Sequence, residues 1–198
     1  MILAATDLFA ERGIDAVEPH EILERAGQRN ASAIQYHFGS RAGLVVSVLQ
    51  PRPDVRGPME AEGMRRLDEL AARSDPTTLR DAVEVLVQPS MAYLSTHEGR
   101  SLIRVAVQVM RTLPIELRVD PSMPSDRRVT TLIDSCLSTE LPDAVRRERL
   151  GVARTLVVEL IANRAREIEH GLAPHLGDED FCTEVVAMTV GLLEAEAA

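Results

Sequence analysis

Apolar residues recur at helical spacing through nearly the whole chain. Ile2, Leu3, Ala5, Leu8 and Phe9 mark a first helix that Gly13 stops. The run Val17-Glu18-Pro19-His20-Glu21-Ile22 predicts the start of a second. Pro19 suits the first helical position, Glu21 suits the first turn, and Val17 can staple onto Ile22. This helix runs to about Ala26, and Gly27 ends it. A third runs from about Asn30, its cap, to Phe38. Gly39-Ser40 stops that helix and caps a fourth, which begins at Arg41 and carries Leu44, Val45, Val48 and Leu49. Pro51, Pro53 and Pro58 cannot share one continuous helix, so they mark either a domain joint or a kink. Taken as a joint, they divide the chain into a small front domain, 1–50, and a larger helical body, 51–198.

Beyond the prolines the spacing predicts a helix over Met59–Arg73 and another from Asp75-Pro76 to about Thr96, bent at Pro89. From Gly99 the segment SLIRVAVQVMRTL is apolar almost all round, apart from a stripe of Arg104, Gln108 and Arg111, which places it at the centre of the body. Pro114 ends it, Pro121–Ser125 reads as a loop, and a helix follows over about Asp126–Ser138. Pro142 opens the longest helix, to about His170 before Gly171, and Asp178 opens the last. The sum is an all-α chain of about nine helices, with no repeat, no low-complexity segment and no strand.

Composition supports this: 45% hydrophobic, 27% charged and only 3% aromatic, a profile of helical globular chains. No apolar run reaches membrane-spanning length and no signal segment opens the chain, so a soluble, cytoplasmic protein without a membrane partner is expected. Cys136 and Cys182 lie far apart without Cys-x-x-Cys spacing and read as reduced, buried residues. His170 and His175 flank Gly171 but lack a third ligand at sensible spacing, so no metal and no cofactor is expected. No nucleophile–base pair, carboxylate motif or phosphate-cradling glycine loop is visible, which argues against an enzyme.

Charge changes the picture in one place. The chain carries a formal net charge of −9, yet from Arg25 to Arg41 there are three arginines and no acid. This stretch holds the glycine turn and the third helix. Ile34 and Phe38 would point inward, leaving Ser32, Ala33, Gln35 and Tyr36 on an outer face with His37 at its flank. A short helix, a turn and a second helix with a small, polar, acid-free face describe a helix-turn-helix DNA reader or an ordinary helical hairpin.

The first fifty residues resemble the DNA-binding domain of the TetR family of bacterial transcriptional regulators. The resemblance lies in LFAERG at the end of the first helix, EILERAG in the second, and YHFGSRAGL closing the third and opening the fourth. It covers about a quarter of the chain by motif. It implies a repressor that binds double-stranded DNA at a palindromic operator as a homodimer and is released by a small-molecule effector. It also implies DNA contacts from His20, Asn30, Ala31, Ser32, Ala33, Gln35, Tyr36 and His37, with Arg41 clamping a phosphate; Arg29, by its charge, can supply a further phosphate contact. The sequence departs from the family pattern in two places. The segment from Gly27 to Phe38 is one residue longer, and Gln35 stands where a tyrosine is usual, with Tyr36 following.

In the body, Met91, Leu94, Val107, Gln108 and Met110 fall on helices the family uses to line its effector cavity, although apolar residues at this spacing equally describe plain core. The broad apolar faces of the last two helices, with Leu156, Leu160, Ile161 and Ile168 on one and Phe181, Val185, Met188 and Leu192 on the other, fit a dimer interface or intramolecular packing. The competing functional reading is a helical small-molecule-binding or interaction protein that no longer reads DNA. The front domain's four arginines against six acids, a net of −2, favour it.

Overall fold

The computed structural model describes residues 1–50, 53–114 and 123–196. Among the described residues there are ten α-helices, one 3₁₀ turn and no strand. The front four helices are α1 (Ile2–Arg12), α2 (Pro19–Arg25), α3 (Ala33–Phe38) and α4 (Arg41–Leu49). Their ends follow local chemistry. Gly13 ends α1 at φ +95°, Glu21 accepts the N–H of Glu18 at 2.7 Å to open α2, and Gly39 ends α3 in the left-handed region at φ +69°. The third helix is shorter than the spacing predicts. Asn30 does not cap it; its side-chain oxygen accepts the N–H of Ser32 at 3.0 Å in a local turn, and helix begins only at Ala33.

The expected boundary at 50/51 falls on Pro51, which lies outside the described residues. After it, α5 spans Pro53–Ala72 with Pro58 inside, so the helix begins six residues before the expected Met59. A proline in an opening turn lacks an N–H that would be orphaned there anyway, and one further on removes a single intrahelical bond. The loop expected over Pro121–Ser125 is described only from Met123 onward, and Pro124 already opens helix α8 (Pro124–Cys136).

The helix expected from Asp75-Pro76 begins later, as α6 (Leu79–Ser90), followed by a 3₁₀ turn over Met91–Leu94. Its start is a capping box. Thr78 Oγ1 accepts the Asp81 N–H at 3.1 Å, and Asp81 Oδ2 accepts the Thr78 N–H at 2.8 Å. The Thr78 hydroxyl and N–H, with Arg73 beside them, hold the Asp81 carboxyl down to about 2. A carboxyl depressed on folding stabilises the fold above its unfolded value, and that contribution disappears as pH falls through the folded one. Stability is therefore expected to decline between about pH 4 and pH 2 with a share that Asp81→Asn removes, and Asp81→Ala is expected to cost about 1 kcal/mol at pH 7. Urea titrations across that pH range check both. An unchanged acid limb in Asp81→Asn would exclude the cap as its source.

Helix α7 (His97–Thr112) is the axis of the body, packing on α9 (Asp143–Glu169) on one side and on α1 on the other. Helix α10 (Asp178–Leu193) closes against α6 and α9. Phe9, Leu102, Ile161 and Val185 are fully enclosed in one continuous core that runs from α1 to α10. This removes Ile161 and Val185 from the expected dimer face: each is 0% exposed within the single chain. Leu156, Leu160, Ile168, Phe181 and Leu192 are half-buried, and Met188 is 44% exposed. With exposed Val152, one turn before Leu156, they form a ragged apolar margin along α9 and α10.

Candidate nucleic-acid interface and body cavity

The acid-free stretch folds as a protruding corner. Helix α2 stops at Arg25, Gly27 turns the chain at φ +65°, and Gln28–Ser32 runs fully exposed into α3. Ile34 anchors α3 at 7% exposure against the front-domain core, and Phe38 is half-buried behind it. Gln35, Tyr36 and His37 face outward, and Tyr36 is 83% exposed, its ring 5.0 Å from that of His37 in an edge-on arrangement. His20, on the first turn of α2, is exposed as well. Ala33 is not on this face. At 4% exposure it packs inward beside Ile34, since the buried side of α3 is wide enough to take both neighbours.

What holds α3 against α4 is a tight corner. Ser40 Oγ accepts the Gly43 N–H at 2.9 Å, and this draws the first turn of α4 onto the Phe38 carbonyl. A Cβ at Gly43 would overlap that carbonyl oxygen, so glycine is required there by close approach.

The front-domain arginines divide sharply. Arg12 pairs with Glu21 and donates to the Ala16 carbonyl, and its guanidinium holds the Glu21 carboxyl below the usual carboxylate range. Arg25 pairs with Glu11 through both terminal nitrogens. Arg41, expected as a phosphate clamp, is half-buried and donates to the Ile14 carbonyl, tying the start of α4 to the loop after α1. Among the described residues Arg29 is the one front-domain arginine with neither an ion pair nor a hydrogen bond, and it lies on the exposed turn before α3.

Behind α1, the polar stripe of α7 has a use that the sequence alone did not reveal. Arg104, buried, donates to the Ala10 carbonyl at 2.5 Å, and burial lowers its guanidinium from its ordinary value. Gln108 Nε2 donates to the Phe9 carbonyl at 3.0 Å, and its Oε1 accepts the Ile14 N–H at 2.8 Å. Arg104 and the Gln108 oxygen thus satisfy the Ala10 carbonyl and the Ile14 N–H at and beyond the end of α1, and the Gln108 amide nitrogen is a second donor to the Phe9 carbonyl, which also accepts the Gly13 N–H. At the start of α7, His97 lies between Asp7 of α1 at 3.2 Å and Glu169 of α9 at 3.1 Å. Gln108 thus joins α7 to the end of α1, and it is not on the wall of the body cavity described next.

A cavity of about 310 Å³ does lie in the body, between α5, α6, α7, α8 and α9. Met110 is the one expected ligand residue on its wall; Leu94 and Val107 are core, Met91 packs on the core, and none of these three reaches it. The residues that do form the wall include Met59, Leu86, Ile103, Val109, Val157 and Ile161, together with Arg56, Ser90, Tyr93, Ser125, Asp126 and Arg154. In the sequence Arg154 is one of several arginines in α9 and gives no distinct signal for this wall, and its partner, Asp126, is 28 residues away and was not legible.

Residues 2–48 match the family model described as bacterial regulatory proteins, tetR family. The fold resembles that of the TetR family transcriptional regulator PfmR from Thermus thermophilus, with a TM-score of 0.52 at 17% identity, covering 100% of this chain and 96% of that one. No curated protein matches the chain in sequence. Among the described residues no helix is long and apolar enough to cross a membrane. The front of the chain is therefore similar to the tetR-family model, and the chain as a whole has the fold seen in a TetR-family transcriptional regulator.

Proposed function

We propose that the protein is a sequence-specific DNA-binding repressor that acts as a homodimer on a palindromic operator and is released by a small molecule bound in the body cavity. The observation that carries this reading is the exposed, acid-free corner of Arg29, Asn30, Ala31, Ser32, Gln35, Tyr36 and His37, held out from the core by Ile34. Gln35, Ser32 and Tyr36 offer hydrogen bonds and apolar contact to base edges, while Arg29 and His20 stand at the rim where phosphates would pass. The half-buried margin of α9 and α10 supports the dimer, because a four-helix contact would cover it.

Selection of bound sequences from random DNA at two salt concentrations tests the reading. It is expected to return two half-sites related by a dyad, one turn of DNA or a multiple apart. Arg29→Ala is expected to weaken all sites alike and to flatten the salt slope by about two for a dimer, whereas Gln35→Ala relaxes preference at one base of each half-site. The engagement of Arg12, Arg25 and Arg41 within the domain favours the second reading, a helical ligand-binding protein that does not read DNA. No selected sequence at either salt concentration would establish it in place of the first.

A further inference from the structure

The lining of the body cavity is mostly apolar, with Leu86 from α6, Ile103 and Val109 from α7, and Val157 and Ile161 from α9. Three methionines join them, Met59 on α5, Met110 on α7 and Met123 just ahead of α8. An unbranched thioether adapts its shape to what it meets, so such a lining accepts either a chain or a ring. The polar side chains around the cavity are already in use. Ser90 Oγ donates to the Leu86 carbonyl at 3.0 Å, and Ser125 Oγ donates to Glu60. Asp126 pairs with Arg154, whose Nη1 also donates to Thr130 Oγ1 at 3.0 Å. Arg56 and Tyr93 each have an interaction within the chain as well.

These commitments decide the charge of what can enter. An ion loses its water on entry and needs a counter-charge to replace it. An anion would have to draw an arginine from what it holds, and a cation would have to draw Asp126 from Arg154. Breaking the Asp126–Arg154 pair strands one of two side chains that are only 12% and 10% exposed, so an ion gains a partner only by orphaning another. An uncharged molecule meets no such cost and gains from every apolar surface it covers. Resting on the reading of this cavity as the effector site, we propose that its ligand class is an uncharged, largely apolar molecule. It is held by contact with α6, α7 and α9 and not by a charged group of the protein.

Calorimetry and thermal denaturation of the full chain test this with two matched sets. One is octanol, octanoate and octylammonium; the other is 4-phenylbutanol, 4-phenylbutyrate and 4-phenylbutylammonium. At least one alcohol is expected to raise the melting temperature and to bind at least about tenfold more tightly than both of its ions. Ala106→Phe, which fills the cavity from α7, is expected to abolish that binding with helix content by circular dichroism unchanged. Should it not fold, Ala106→Leu carries the test and is expected to weaken the alcohol by about tenfold. Asp126→Asn reverses the charge argument. It releases Arg154 for a carboxylate from outside, so the matching acid is expected to bind this variant at least about tenfold more tightly than the unaltered protein. An ion that binds the unaltered protein more tightly than its alcohol, or an acid that gains nothing in folded Asp126→Asn, would overturn the ligand class while leaving the cavity as an effector site. Alcohol binding that survives the filling at 106, or no binding by any of the compounds at millimolar concentration, would overturn the effector site itself.

Discussion

Gly43→Ala is expected to abolish operator binding while leaving the body folded. The added methyl is small, and the backbone at Gly43 is ordinary helix, so neither propensity nor strain accounts for the effect. The cause is steric. The new Cβ would overlap the Phe38 carbonyl oxygen and lie 3.1 Å from its carbon, and both are backbone atoms that cannot rotate away. Relief requires α4 to back off from the end of α3, and α3 carries Gln35, Tyr36 and His37. Overpacking of this kind costs about 1–3 kcal/mol and, more importantly, tilts a helix whose contacts with base edges tolerate little displacement. Gly39→Ala provides the contrast. Its φ of +69° makes alanine strained by about 1 kcal/mol, but nothing lies within 4 Å of the new Cβ, so α3 keeps its place and binding is expected to weaken only modestly. Band shifts on the selected operator compare the two, with circular dichroism as the fold control. Full affinity in Gly43→Ala would show that the corner does not position the reader.

The largest loss of stability is expected from Arg154→Ala. The ion pair of Arg154 with Asp126 is enclosed, with side chains 10% and 12% exposed, at the contact of α8 with α9. Removing the guanidinium leaves a carboxylate in a poorly solvated site, which costs roughly 3–5 kcal/mol, or about 10 °C in melting temperature for a chain of this size. The same physics makes a second, less obvious demand. Taking two charges out of water is itself costly, so replacing both by apolar residues of similar volume, Arg154→Met with Asp126→Leu, is expected to restore most of the loss. Thermal and urea denaturation of the two singles and the double form a cycle that checks this. If the double variant is as unstable as Arg154→Ala, packing at α8–α9 and not the stranded charge is responsible.

The front of the molecule was legible in the sequence because its boundaries are set locally. Gly13, Pro19, Gly39 and Ser40 each act within one turn of themselves, and the observed ends of α1, α2 and α4 follow them. The same holds for α9 and α10, which begin just after Pro142 and Gly177. Where two local signals competed, the reading slipped. Asn30 can cap a helix or close a turn on Ser32, and it closes the turn; Pro76 can open a helix, but Thr78 has Asp81 at the right distance to form the box. Side-chain assignments in the body fared worse for a different reason. Periodicity reveals that Gln108 interrupts an apolar face, but not which element lies opposite, and here it is the end of α1 and not a cavity. Arg56 and Ser125 were invisible for the same cause, since their surroundings are assembled from α5 and α8. Exposed surfaces such as the Tyr36 face were legible because little else in the chain touches them.

The bonds from Arg104 and Gln108 to the end of α1 bear on how such proteins can be recombined. A single cut near residue 50 would separate the four front helices from the rest of the chain. In this protein that cut would separate Phe9, Ala10 and Ile14 from the two side chains that complete their hydrogen bonding. Gln108 uses both ends of one amide to bridge from Phe9 to Ile14, so the length of the connection around Gly13 is matched to it. A working chimera would have to carry positions 104 and 108 along with the first fifty residues. The exchangeable unit is discontinuous in the chain, and two residues of it belong to the body.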